Sequence, residues 1–180
     1  MRAFSSVGEL IRNAKTLCAG DEITLSGTVY TARDAAHKKI AAALNSGEKP
    51  PFDLRGSVIY YAGPTPAKPG ENSGSFGPTT SSRMDVFAPL LYDNGVFATI
   101  GKGERSEKVR QSIIKNGGLY LLAIGGAGAL AAKHIILSEE VAYPSLGCES
   151  VKRLIFRDFP LYVGVDTFGG DIFTRTKLNK

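Results

Sequence analysis

The first clear periodicity runs from Asp21 to Tyr30, where Ile23, Leu25, Gly27 and Val29 alternate with polar neighbours, the period of a half-buried β-strand. A second signal follows at once. Asp34 is placed to cap a helix in which Ala36, Ile40, Ala43 and Leu44 recur at helical spacing until Asn45-Ser46-Gly47 ends it. Upstream, Val7 to Leu17 reads as a short helix, and after Pro50-Pro51 the β-branched and aromatic run from Ser57 to Tyr61 predicts another strand.

Further along, short helices are expected over Thr79–Met84 and Asp85–Tyr92, and Val96–Ile100 reads as a buried strand running into Gly101-Lys102-Gly103. Ser106 can cap a helix carrying Val109, Ile113 and Ile114, which Asn116-Gly117-Gly118 stops. Strands are expected at Leu119–Ile124 and Ile135–Tyr143, with a small-residue helix between them up to Lys133. The last stretch predicts a helix near Glu149–Leu154 and strands at Leu161–Val165 and Asp171–Thr174. Together these elements make a mixed α/β layer fold. Its 180 residues suit one domain.

Residues 63–78 stand apart. They hold four of the nine prolines and four glycines, which excludes a regular element and marks a long binding or active-site loop. About 14 apolar-rich residues before Lys133 fall short of the roughly 20 that a bilayer span needs. Met1-Arg2 leads into Ser5, Ser6 and Glu9 without an apolar run, so a cytoplasmic protein is expected, with no membrane partner.

The net charge of +5 fits a nucleic acid or a small anionic substrate equally well, but the basic residues are dispersed, Trp is absent and no ribonucleoprotein motif occurs. No nucleic-acid partner is expected. Cys18 and Cys148, 130 positions apart, form neither a disulfide framework nor a metal spacing, and are expected as small buried residues. With His37 and His134 the only histidines, no Cys/His set for a structural zinc or a self-contained iron–sulfur cluster exists; a metal cofactor would have to be held mostly by another chain.

Three cations occupy informative places: Arg33 just beyond the first long strand, Lys102 between two glycines beyond another, and Arg83 four positions after Thr79. The carboxyl ends of strands in open α/β sheets gather into one crevice, which could bring them together. On a helix, Thr79 and Arg83 would share a face, so a carboxylate gripped by the arginine's planar fork would meet the threonine. For each residue a surface ion pair or a helix cap is the simpler alternative. Gly126-x-Gly128-x-x-Ala131 fits a dinucleotide fingerprint but lacks the acidic residue some 20 positions on, so close helix packing explains it more simply. A stand-alone anion- or nucleotide-binding module stays open as an alternative.

The segments Val29–Lys38 (VYTARDAAHK), Tyr60–Gly70 (YYAGPTPAKPG), Gly77–Asp85 (GPTTSSRMD), Ile100–Ser106 (IGKGERS) and Ala123–Gly126 (AIGG) resemble, in order, the C-terminal domain of class I fumarases and the β subunit of the related tartrate dehydratases. The resemblance covers nearly the whole of residues 1–180. It implies a swivelling β/β/α three-layer domain in which 63–78 is the substrate loop. It also implies a β subunit working with an α subunit that holds a 4Fe-4S cluster, in an α2β2 assembly acting on fumarate and L-malate. L-tartrate or mesaconate are the alternative substrates. Carried over by motif, Thr79 would be the base that moves the C3 proton, while Arg33, Arg83 and Lys102 would clamp the dicarboxylate. Ser82, where glycine is common, and Asn72-Ser73, where an apolar pair is usual, depart from the family pattern.

Overall fold

The computed structural model describes residues 1–65, 74–124 and 128–174. Its strands are β1 (Arg2–Phe4), β2 (Glu22–Thr31), β3 (Val58–Tyr60), β4 (Ala98–Gly101), β5 (Leu119–Leu122), β6 (Ile135–Ala142) and β7 (Val151–Val165). The helices are α1 (Val7–Asn13), α2 (Asp34–Asn45), α3 (Ala88–Asp93), α4 (Glu107–Asn116) and α5 (Gly128–Lys133), with 3-10 turns at Ala14–Thr16, Ser81–Met84 and Pro144–Glu149.

Alternation decides which way each strand faces. In β3 and just beyond it, Val58, Tyr60 and Ala62 enter one core while Ile59 and Tyr61 enter a second. In β5, Leu119 and Leu121 face the first core and Tyr120 faces the helices. β1, β2, β3, β4 and β5 run parallel in that order, the arrangement in which each strand needs a crossover to the next. Helix α2, the Ser81–Met84 turn with α3, and α4 lie on those crossovers. They bury Ala36, Ile40, Leu91, Val109 and Ile113 against the outer face of the sheet.

β7 then runs antiparallel to both β2 and β5, with β6 beside its first half, so the sheet folds back over its own inner face. The layers are thus sheet, sheet and helices, the mixed α/β three-layer order expected. Between the two sheet layers lie Ile23, Leu25, Val29, Ile100, Leu154, Phe156, Phe159 and Leu161.

β7 corrects two expectations. The helix near Glu149–Leu154 is instead the start of this long strand, preceded by a 3-10 turn. The Asp171–Thr174 strand reduces to one bridge between Val165 and Asp171 before a helical turn. A bulge breaks the alternation within β7: Ser26 opposes both Arg157 and Asp158, since Leu25 pairs with Phe159 and Gly27 with Phe156. Asp158 takes a left-handed φ of 49° there, and its N–H donates to the Ser26 hydroxyl at 2.9 Å. The extra residue puts Phe156 and Phe159, three apart, on the same face, stacked with centroids 4.1 Å apart.

The cysteines are a third correction. Cys18 and Cys148 are both exposed, because each sits in a surface turn, Leu17–Asp21 and Pro144–Glu149, with its side chain turned away from the core. Among the described residues no helix is long and apolar enough to cross a membrane.

Candidate active site

Parallel strands put their carboxyl ends on one edge, and here β2, β3 and β4 end side by side. Arg33 comes two residues after β2 and is the N-cap of α2, with extended backbone (φ −113°, ψ −164°). Asp34, expected as the cap, is instead the first helical residue, so its carboxylate is free to reach sideways. Beyond β3, Ala62 pairs with Pro78, and the Thr79 N–H donates to the Tyr61 carbonyl at 2.6 Å. Beyond β4, Lys102 pairs with Thr80, and its carbonyl accepts from the Ser81 N–H at 2.9 Å.

These pairings hold Thr79 and Thr80 extended, so the 3-10 turn begins only at Ser81. Thr79 and Arg83 therefore do not share a helix face. They are neighbours through a strand-like segment and the tight turn that follows it. Thr79 is half-buried and its hydroxyl has no hydrogen-bond partner among the described residues, whereas Arg83 and Lys102 are exposed.

Both arginines face carboxylates. Arg83 donates its Nε–H to Asp34 Oδ1 at 3.0 Å, and its Nη2 lies 2.9 Å from Oδ2 in ion-pair contact without the geometry of a second hydrogen bond. Arg33 lies across from Glu149, Nη2 to Oε1 at 3.4 Å, while the other oxygen of Glu149 accepts from the Ala35 N–H at the start of α2. The buried Nε of Arg33 has no hydrogen-bond partner among the described residues. Gly63 is what lets the Arg33 side chain lie flat: a Cβ there would come within 3.3 Å of Arg33 Cδ and 2.7 Å of the Cys148 carbonyl. The guanidiniums thus flank the amino end of α2, each facing a carboxylate.

Beneath this edge lies a buried polar layer that the sequence reading gave no role. Arg105, its side chain wholly buried, donates to Asp85 at 2.7 Å, to Thr99 at 3.0 Å and to the Tyr61 hydroxyl at 3.3 Å. It also lies over the rings of Tyr61 and Tyr120. Asp85 Oδ2 accepts from the Ser106 N–H at 2.6 Å. His37, buried between Tyr61 and Phe87, donates Nδ1–H to the Arg33 carbonyl, which can only accept; burial pushes its pKa down to about 4. Arg105 and Asp85 stand inside the quoted motifs, which was the available signal. Glu149 stands outside them.

Among the described residues no group of three or more His, Cys, Asp or Glu is placed to hold a metal ion, so these residues do not fit as the holder of a cluster. The dinucleotide fingerprint lies partly outside the described residues, and the helix that carries its Gly128 and Ala131 is six residues long.

The fumarase C-terminus family profile matches residues 7–176. The chain belongs to that family. It is 42% identical to fumarate hydratase 2 of Leishmania major over 87% of its own length and 28% of that protein. To the anaerobic class I fumarate hydratase of Escherichia coli K12 it is 38% identical, over 92% of this chain and 30% of the enzyme. It is also 39% identical to a Methanocaldococcus jannaschii protein assigned as the β subunit of an L(+)-tartrate dehydratase, over 90% of this chain and 86% of that one. The fumarase C-terminus chain therefore spans under a third of the fumarate hydratases it matches, and most of the tartrate dehydratase subunit.

Proposed function

We propose that this chain is the cation-bearing β half of a hydro-lyase interconverting fumarate and L-malate, completed by an α partner that holds a 4Fe-4S cluster. The observation that carries the reading is the meeting of Arg33, Thr79, Arg83 and Lys102 at the shared end of β2, β3 and β4, within a domain of the fumarase C-terminus family. An α2β2 assembly goes with it.

Dehydration of malate removes a proton from C3 and expels the C2 hydroxyl, leaving the electron pair of the broken C–H bond as the new double bond. As the proton leaves, charge flows into the neighbouring carboxylate. Arg33 and Arg83, on either side of the α2 amino end, and Lys102 stabilise that charge, an electrostatic contribution that is often the largest in catalysis. A threonine hydroxyl is too weak an acid to be a ready base in water. Thr79 can take the C3 proton only in a dry site dense in positive charge, which the partner would complete by covering this edge. The partner's cluster, when bound, would supply Lewis-acid activation for the departing hydroxyl.

The test is co-expression with the cluster-bearing partner, purification without oxygen, and side-by-side assay of fumarate, the tartrate isomers and mesaconate. Thr79→Val should leave assembly intact and lower turnover about 10²-fold or more, the scale of lost acid–base catalysis. Unchanged turnover would remove Thr79 from the mechanism. A second reading, a tartrate dehydratase β subunit, is supported by the 39% identity to the Methanocaldococcus protein over 86% of that subunit. Preferential turnover of L-tartrate would select it.

A further inference from the structure

Tyr120 on β5 is fully buried, and a phenylalanine would fill its place without a polar atom to satisfy. Its hydroxyl lies 2.8 Å from the Gly103 carbonyl and 2.8 Å from the Ser81 hydroxyl. With one proton to give, it donates to the carbonyl, which can only accept, and so it accepts the proton of Ser81. Burial raises its pKa, which keeps that proton in place. Ser81 stands two residues from Thr79 and two from Arg83; Gly103 is next to Lys102. The same Ser81 is itself wedged against β4, because a side chain at Gly101 would collide with its hydroxyl. One phenol therefore joins the segment bearing the candidate base and one arginine to the loop bearing the lysine.

We infer that Tyr120 is a positioning residue, whose hydroxyl sets the spacing between Thr79, Arg83 and Lys102 without touching substrate. This rests on the functional reading above. Tyr92 supplies an internal comparison. It too is buried, with its hydroxyl 2.8 Å from the Leu119 carbonyl and 2.9 Å from Thr99 Oγ1, but it ties α3 to the sheet and neither partner adjoins a candidate site residue. A purely structural role predicts the same consequences for losing either hydroxyl.

The experiment compares Tyr120→Phe and Tyr92→Phe in the enzyme assembled with its partner. Both should lose thermal stability to a similar degree. Only Tyr120→Phe should lower kcat, by about tenfold, with KM within about threefold of wild type, because misplacement of reacting groups acts on the transition state more than on binding. Ser81→Ala should cost a similar factor alone and add less than about twofold to Tyr120→Phe, since the two share one hydrogen bond. If Tyr120→Phe does not assemble, Ser81→Ala carries the test. Unchanged kcat in Tyr120→Phe, or an equal loss in Tyr92→Phe, overturns the positioning role while leaving the hydro-lyase reading standing. A wild-type assembly that turns over none of the diacids overturns that reading, and this inference with it.

Discussion

Replacing Arg105 by methionine tests whether the layer beneath the candidate site is held by charge. Methionine keeps much of the apolar volume but removes the donors to Asp85, Thr99 and Tyr61, and the cation over two rings. Asp85, with its side chain only 12% exposed, would keep the Ser106 N–H and lose its counter-ion. Breaking a buried pair from one side costs about 3–5 kcal/mol, because the remaining charge is stranded, whereas removing both partners is often close to neutral. In a chain of 180 residues that loss lowers Tm by roughly 10 °C. Urea unfolding of Arg105→Met, Asp85→Leu and the double variant measures the coupling directly. The double variant should recover at least about half of the loss caused by Arg105→Met. Strictly additive losses, or an Arg105→Met cost below about 1 kcal/mol, would show that the pair does not act as argued.

Two further outcomes follow from the same edge. His37 has a folded pKa of about 4 against 6.5 when unfolded, so between those pH values the unfolded chain binds a proton that the native chain does not. Stability contributed by neutral His37 is complete above pH 6.5 and falls by about 3 kcal/mol as the pH drops to 4. His37→Phe should have a shallower acid slope than wild type in urea titrations at pH 7, 6 and 5; parallel curves would rule out this titration. Glu149→Gln keeps an acceptor for the Ala35 N–H but removes the negative charge opposite Arg33, so KM for the diacid should fall about two- to fivefold with kcat little changed, a weak ion-pair effect. A higher KM would mean that Glu149 instead holds Arg33 in its binding pose.

Where one face was buried and one crossover sufficed, local pattern was enough. β2, α2 and α4 follow the spacing of Ile23 to Val29, Ala36 to Leu44 and Val109 to Ile114, and Ser106 caps α4 by accepting the Val109 N–H. β7 escaped because both faces of its first part are covered, Val151 entering the second core and Leu154 the first, so that Val151, Leu154 and Ile155 stand at a spacing that mimics a helix; the bulge at Arg157-Asp158 then resets the alternation further along. At the candidate site the types of residue were readable, their arrangement less so. Long-range pairing of Thr80 with Lys102 overrode the helical tendency of the segment after Pro78, and no local rule anticipates a partner 22 positions away. Arg105, Ser81 and Tyr120 were hidden for a similar reason: their polar groups are satisfied only once β4, β5 and the Ser81 turn come together.

The closing strand also constrains how the chain matures. Glu22 meets Tyr162 and Tyr30 meets Arg153, so the interior stays open to water until β7 itself has been synthesised. Loop-closure entropy of that size makes acquisition of the native state slow, and a nascent chain still lacking β7 displays Leu25, Val29 and Ile100 as sticky surface. Ribosomal pausing or chaperone supply before β7 emerges should govern yield more strongly than any defect in the early parallel strands.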